Sequence, residues 1–174
     1  MEKHTTIQPV RFAADRMLGR LTRWLRMIGA DVISDPAIDG AAILSRARRE
    51  GRITITRDKR LRTASDVIWL ASNGVAEQLR EVFERHPQFS QISMDANDRA
   101  FTRCVGCNTP LRSIAREALA SRVPPFVYAS HRNFSCCDGC GKIYWDATHR
   151  ARAIETLERI GVDTQRIRTG HVSA

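Results

Sequence analysis

The first half of the chain alternates between two patterns of apolar residues, one typical of short buried strands and one typical of amphipathic helices. An apolar run over 10–14 predicts a strand that ends at Asp15. After it, apolar residues recur at helical spacing while arginines occupy another face, until Gly29 ends the helix. The apolar positions are Met17, Leu18, Leu21, Trp24, Leu25 and Ile28, and the basic ones are Arg16, Arg20 and Arg23.

The same alternation continues along the rest of this half. Further strands are predicted over 30–34, 52–56 and 67–71, with helices over 39–50 and 75–85. Strands that alternate with helices favour a parallel sheet covered by helices on both faces. We therefore expect an α/β fold with an open parallel sheet, whose ligands bind at the carboxyl edge of the strands.

The whole chain divides into five predicted segments. An N-terminal extension covers 1–9, and the α/β domain covers 10–86. A polar stretch without clear periodicity over 87–100 is the predicted linker. A small cysteine-containing unit follows over 101–149, and a basic C-terminal helix and tail cover 150–174.

Two Cys-x-x-Cys pairs mark the small unit. Cys104 with Cys107 and Cys137 with Cys140 have the knuckle spacing that lets four thiolates surround one Zn²⁺. Two disulfides or buried thiols are the alternatives, and both are weakened by Cys136, a fifth cysteine that would stay unpaired in an oxidising compartment. Because a closed four-thiolate site has no open position for substrate, the zinc is expected to be structural.

The amino-acid composition bears on the binding partner and on the cellular compartment of the protein. The 28 Lys and Arg residues outnumber the 19 Asp and Glu residues, for a formal charge of +9, and most of the cations are arginine. Arginine binds phosphate through two hydrogen bonds at once, so this excess favours a nucleic-acid partner. The first ten residues contain no apolar signal region and no later segment is apolar enough to span a membrane, so we expect a cytoplasmic protein without a membrane partner.

Three aspartates carry the candidate chemistry. Asp15 follows the first predicted strand, Asp39 begins the second helix, and Asp58 follows the third strand. Carboxylates that converge at one strand edge repel each other unless a divalent cation neutralises them, so the cluster predicts a Mg²⁺ or Mn²⁺ site. Such an ion suits phosphodiester hydrolysis, because it activates water and holds the scissile phosphate.

Each aspartate also has a structural alternative. Asp15 and Asp39 each precede a predicted helix and are good N-cap residues, and Asp58 suits a turn or a cap. The spacing alone leaves both interpretations open.

Several motifs together resemble a known family. They are the run from Asp15 to Gly29, the stretch from Glu50 to Asp58, the pair Gln78-Leu79 and the segment from Cys137 to Trp145. They are similar to the C-terminal ribonuclease domain of the Mut-seven (mutator seven) nucleases, and the resemblance covers about 10–149.

This resemblance implies a PIN-like nuclease domain fused to a zinc ribbon. It also implies a metal-dependent ribonuclease whose acidic ligands match Asp15, Asp39 and Asp58. PIN-like sites often carry a fourth acid after a later strand. The corresponding turn here contains Asn73, with Glu77 as the nearest acid, and this leaves one or two catalytic metals open.

Five arginines are the predicted RNA contacts. A solvated helix face or an ion pair is the alternative for those beside the predicted acidic site. The predicted contacts are Arg20, Arg23, Arg57, Arg103 and Arg150.

The function predicted from these features is that of a Mg²⁺- or Mn²⁺-dependent (endo)ribonuclease that hydrolyses RNA phosphodiester bonds, with a zinc ribbon that adds RNA-binding surface. One alternative is a nucleic-acid-binding ribbon protein without catalysis, in which the acids only cap helices. Another is a toxin-like endoribonuclease controlled by a protein partner.

Overall fold

A computed structural model describes residues 10–38, 40–86, 100–145 and 148–159, and the side chains of all of these except 148–150. The first half contains strands β1 (Arg11–Ala14), β2 (Asp31–Ile33), β3 (Ile53–Thr56) and β4 (Val67–Trp69), and helices α1 (Gly19–Met27), α2 (Gly40–Arg49) and α3 (Val75–Arg85). The second half contains β5 (Leu111–Ser113), β6 (Phe134–Cys137) and β7 (Ile143–Trp145), with helices α4 (Pro125–Ser130) and α5 (Thr148–Arg159).

The first four strands form one parallel sheet in the order β2-β1-β3-β4. Ala14 at the end of β1 lies opposite Ile55 in β3. From β1 the chain continues to β2, which pairs with one edge of β1, and it then crosses to β3, which pairs with the opposite edge of β1. The carboxyl ends of β1 and β3 therefore form the switch point at which open α/β sheets bind their ligands. The expected α/β fold is confirmed.

The element boundaries differ slightly from the predicted ones. The predicted strands extend one or two residues beyond those observed, and α3 has the predicted bounds. The first helix begins with a short 3₁₀ turn, Arg16–Leu18, before α1 starts at Gly19. Because a 3₁₀ turn has a different residue period from an α-helix, Met17 leaves the predicted apolar face and is exposed.

Helices cover both faces of the sheet, as predicted. Phe12 and Ala14 of β1 point into the core that α1 and α3 close, whereas Ala13 points to the opposite face. There it packs against Ile43 and Ala47 of α2. This division follows from the alternation of side chains along a strand.

Helix α5 completes the larger core although it follows the cysteine-containing unit in sequence. Its buried residues Ile154 and Leu157 belong to the same cluster as Phe12, and Leu157 is fully buried. The segment was predicted as a basic C-terminal helix, and its apolar positions are what attach it to the sheet. The core of the sheet therefore includes chain from both sides of the small unit.

The small unit contains its own antiparallel sheet in the order β5-β6-β7. Leu119, Val123 and Phe134 form a separate core beneath it, against which Val127 of α4 packs. Across the described residues, no helix is long and apolar enough to cross a membrane.

Arg26 of α1 joins the small unit to the sheet. Although it is charged, it is only 5% exposed. Its Nε donates to the Val32 carbonyl oxygen at 2.9 Å, and its Nη1 donates to the carbonyl oxygens of Val105 and Gly106 at 3.2 and 2.6 Å. The planar guanidinium thus connects the edge strand β2 with the first cysteine knuckle.

Asn108, directly after that knuckle, makes a second connection. It adopts a left-handed backbone conformation, with φ of 72°. Its Oδ1 accepts a hydrogen bond from the Val32 backbone nitrogen at 3.1 Å, and its Nδ2 donates to Asp31 Oδ1 at 2.8 Å. The small unit therefore satisfies and covers an N–H group on the edge strand that would otherwise be open to pairing.

We expect Leu157→Ala to lower the free energy of unfolding by about 2–5 kcal/mol, because it leaves a cavity in the core of the sheet. Chemical denaturation measures this change. The matched control is Glu155→Ala on the exposed face of the same helix, which should change stability by less than about 0.5 kcal/mol. Equal effects from the two variants would show that α5 does not belong to the core.

We expect Arg26→Met to lower the free energy of unfolding by about 2–4 kcal/mol. A buried carbonyl that loses its donor costs about 1–3 kcal/mol, and the guanidinium serves the buried carbonyl of Val32 together with two hydrogen bonds to the first knuckle that are partly buried. Thermal and chemical unfolding measure the loss. Arg23→Met, on the exposed side of the same helix, is the control and should be close to neutral, whereas an equally stable Arg26→Met would contradict the connection.

Candidate functional site

Asp15 and Asp58 lie at the carboxyl edge of the parallel sheet, on the two strands that flank the switch point. Asp15 directly follows β1, and its backbone nitrogen donates to the Ile55 carbonyl oxygen at 3.0 Å. Asp58 follows β3 by two residues. Their positions thus come from the parallel pairing of β1 with β3.

The two carboxylates face one small space beside Gly40, the first residue of α2. A Cβ atom added to Gly40 would lie 3.3 Å from Asp15 Oδ2 and 3.7 Å from Asp58 Oδ2. A side chain at this position would crowd the nearer carboxylate and occupy the space between the two. Glycine keeps that space open.

Asp15 is a buried carboxylate, only 4% exposed. Its Oδ2 accepts a hydrogen bond from the Thr56 hydroxyl at 2.9 Å, and its Oδ1 accepts from the Met17 backbone nitrogen at 3.4 Å. Within the described residues it forms no ion pair. A buried carboxylate without a cation is energetically costly, so this position is suited to an added positive charge.

Thr56 links the two aspartates and is a site residue that sequence analysis missed. Its hydroxyl donates to Asp15 and accepts a hydrogen bond from the Asp58 backbone nitrogen at 3.0 Å. The side chain of Thr56 is fully buried. The spacing Thr-x-Asp at the end of a strand was a usable signal, because a hydroxyl accepts readily from the nitrogen two residues later.

Asp58 is paired with Arg60. The Arg60 guanidinium donates to both carboxylate oxygens, with 2.6 Å from Nη2 to Oδ2 and 3.0 Å from Nε to Oδ1. The side-chain hydrogen bond from Arg60, with that from its backbone N–H, lowers the pKa of Asp58 below its ordinary value. Asp58 therefore carries a negative charge at neutral pH.

The cap interpretation is confirmed for both described aspartates. Asp15 caps the Arg16–Leu18 turn, and Asp58 caps the turn over Lys59–Leu61, in each case through Oδ1. The cap bonds leave the Oδ2 atoms facing Gly40, so capping and convergence occur together. Asp39 lies outside the described residues, and its predicted role as a ligand or cap stays a prediction.

The turn after β4 is held by residues that sequence analysis did not assign. Glu81 accepts hydrogen bonds from the backbone nitrogens of Ala71 and Ser72, and Gln78 donates to the Ser72 carbonyl oxygen. Glu77 folds back over Gly74, where its carboxylate would collide with an added Cβ. In the described geometry, Glu77 thus lies against the start of its own helix.

The four knuckle cysteines form one cluster. Their Sγ atoms all lie within 4.8 Å of one another, with 3.3 Å between Cys107 and Cys137 and 3.6 Å between Cys104 and Cys140. Tetrahedral zinc holds its sulfur ligands about 3.8 Å apart, given Zn–S bonds of about 2.3 Å. All are free thiols, and Cys136 lies on β6 outside the cluster. The cluster is compatible with a zinc ribbon.

The first knuckle favours thiolates, whereas the pKa of Cys140 rises to about 12, because the hydrogen bond from the Lys142 backbone nitrogen is outweighed by desolvation and by contacts with the neighbouring thiols. The hydrogen bond from the Thr109 hydroxyl, supported by its backbone N–H, lowers the pKa of Cys107 to about 6. The Tyr144 hydroxyl lies 3.0 Å from Cys104 Sγ. Zn²⁺ binds thiolates, so such donors suit a metal centre.

The predicted RNA contacts fall into different environments. Arg20 and Arg23 are exposed on α1, while Arg57 is half-buried, and its Nε has no partner within the described part of the chain. Arg103 donates to the Asn108 carbonyl oxygen and approaches Asp31, so it takes part in the contact between the small unit and the sheet. The side chain of Arg150 lies outside the described residues.

Comparison with known families supports the resemblance seen in the motifs. The Mut7-C RNAse domain matches residues 10–157, a span that contains both the parallel sheet and the cysteine cluster. Searches of curated proteins and of solved structures found no match. The matched family is a ribonuclease domain, so RNA is its substrate class. With the match covering most of its length, the chain belongs to the Mut7-C RNAse domain family.

Proposed function

We propose that the chain is a Mg²⁺- or Mn²⁺-dependent ribonuclease that cleaves RNA phosphodiester bonds at the carboxyl edge of its parallel sheet. The observation that carries this proposal is the environment of Asp15. It is buried without a cation partner among the described residues, and its Oδ2 shares an open space with Asp58 Oδ2. A divalent cation in that space would balance the buried charge.

The donor set fits this kind of ion. Mg²⁺ and Mn²⁺ prefer carboxylate oxygens, and the two Oδ2 atoms lie on either side of a position that carries no side chain. We propose Asp39 as a further ligand, because it directly precedes Gly40 in the chain. When bound, the ion supplies Lewis-acid chemistry at the scissile phosphate.

The remaining groups position the site and the RNA. The Thr56 hydroxyl donates a hydrogen bond to Asp15 Oδ2 and accepts one from the Asp58 backbone nitrogen, so it sets the separation of the two carboxylates. Arg60 lowers the pKa of Asp58, which keeps it ionised, and donates hydrogen bonds to both of its carboxylate oxygens. The exposed arginines Arg20 and Arg23 are proposed to neutralise RNA phosphates on the approach to the site.

We further propose that the cysteine cluster binds one structural Zn²⁺ and that the ribbon adds RNA-binding surface. A four-thiolate site has no open position, so its role is to hold the knuckles and thereby the contact with β2. Five free cysteines suit a reducing compartment, and we propose the cytoplasm.

We expect Asp15→Asn to reduce RNA cleavage by about 100-fold or more, since metal-ion catalysis supplies several kcal/mol of transition-state stabilisation. In the absence of divalent ions the variant should be at least as stable as the parent, because it removes a buried charge that lacks a counter-ion. Added Mg²⁺ or Mn²⁺ should raise the melting temperature of the parent and not that of the variant. Cleavage assays and thermal unfolding with and without metal measure these effects.

The matched control is Asp66→Asn. Asp66 lies before β4, at the amino end of the sheet, and is paired with Arg48. This variant should keep full activity. If Asp15→Asn cleaved RNA normally but unfolded at lower temperature, Asp15 would be a cap alone, and the non-catalytic alternative would take its place.

We expect Cys140→Ser to lose the zinc, because an incomplete site forfeits much of a binding free energy of about 10–16 kcal/mol. Metal analysis of the purified protein should find one zinc per chain in the parent and in Cys136→Ala, which changes a buried cysteine outside the cluster. Full zinc content in Cys140→Ser would show that the ligand set is different.

A further inference from the structure

Met17, two residues after Asp15, is a large apolar side chain that is exposed. It is 58% exposed, and of the described residues only Phe126 of α4 joins it as a large hydrophobic with such exposure. Its location is set by its own backbone, whose nitrogen donates to Asp15 Oδ1. The fold thus leaves an apolar surface in water at the edge of a charged site, where it contributes little to the protein's own core.

Gly19, two residues later, is a glycine that the protein itself does not require. Its φ and ψ of −56° and −34° are ordinary helical values that any residue adopts. Apart from its chain neighbours and the backbone of its own helix, a Cβ added there would meet no atom of the described structure within 4 Å. Glycine weakens a helix relative to alanine, so neither backbone geometry nor packing explains it here. The open space above Gly19 is available to a molecule outside the fold.

Two arginines flank these positions. Arg16 and Arg20 are both exposed, and within the described residues neither forms an ion pair or a side-chain hydrogen bond. Guanidinium groups without an internal carboxylate are free to bind phosphate. We call Arg16, Met17, Gly19 and Arg20 the entry surface.

We propose that the entry surface binds single-stranded RNA next to the scissile phosphate. One nucleobase lies against the Met17 thioether, the sugar–phosphate backbone passes closely over Gly19, and Arg16 and Arg20 contact its phosphates. This inference rests on the proposed function and names the form of substrate that the site accepts. Only an unstacked base offers its face to a side chain, so the surface favours unpaired nucleotides over a duplex.

The charge of the surface selects RNA over an apolar protein partner. Met17 lies between Arg16 and Arg20 in sequence, and its backbone nitrogen contacts Asp15, one of the two carboxylates at which phosphodiester cleavage is proposed. A protein partner that covered it would also need to supply acidic groups to the two arginines. A nucleotide supplies the base and the negative charge together.

The test measures binding of a fluorescein-labelled, single-stranded RNA of about 12 nucleotides by fluorescence anisotropy. All variants carry Asp58→Asn to suppress cleavage. Gly19→Ala should weaken binding about fivefold and raise the melting temperature, because it adds a methyl group to the RNA path while strengthening the helix. Met17→Ser should weaken binding to a similar extent with an unchanged melting temperature.

The control experiment changes the RNA and leaves the protein variants as they are. A series of oligonucleotides carries a single abasic site at successive positions. At one position, loss of the base should remove the difference in RNA affinity between the parent and Met17→Ser. A difference that persists with every abasic RNA would overturn the base contact. A lower melting temperature in Gly19→Ala would show that the glycine is structural and would overturn its assignment.

The failures of the two proposals are distinguishable. If the protein cleaves RNA and both entry-surface variants bind as tightly as the parent, the entry surface is wrong and the proposed function stands. If the protein with an intact Asp58 neither binds nor cleaves RNA in the presence of Mg²⁺ or Mn²⁺, both are overturned.

Discussion

The parallel pairing of β1 with β3 is the constraint on which the candidate site depends. This pairing extends one residue beyond the end of β1, because the Asp15 backbone nitrogen donates a hydrogen bond to the Ile55 carbonyl oxygen. The Thr56 hydroxyl then joins both carboxyl ends, since it donates to Asp15 and accepts from the Asp58 nitrogen. Two residues 43 positions apart in sequence thereby face the same space beside Gly40. Displacement of either strand would separate them.

Each of the two described aspartates has a structural role and, in the proposed function, a chemical role as well. One oxygen caps a short 3₁₀ turn, and the other faces the shared space. The cap bonds restrict the rotation of each carboxylate, so the oxygens are oriented before any ligand arrives. Such preorganisation is favourable for catalysis, and it comes at some expense to stability because Asp15 is buried without a cation among the described residues.

The cysteine-containing unit and the sheet support each other through strand β2. Arg26 joins the Val32 carbonyl to the first knuckle, and Asn108 satisfies the Val32 nitrogen. Helix α5 then returns to the larger core. Ordering of the knuckles by the proposed zinc would therefore stabilise one edge of the sheet that carries the candidate site, although no catalytic role is proposed for that metal.

The α/β class, the order of strands and helices in the first half, the cysteine set and the family could be predicted from the sequence, because each depends on local spacing along the chain. The sequence left the aspartates open between cap and ligand, and it placed Met17 on a buried face. Thr56, Arg26 and Asn108 acquire their roles only from partners distant in sequence, and the attachment of α5 to the sheet depends on contacts across the fold. These roles could not be predicted from the sequence, because hydrogen bonds and burial depend on which elements become neighbours in space.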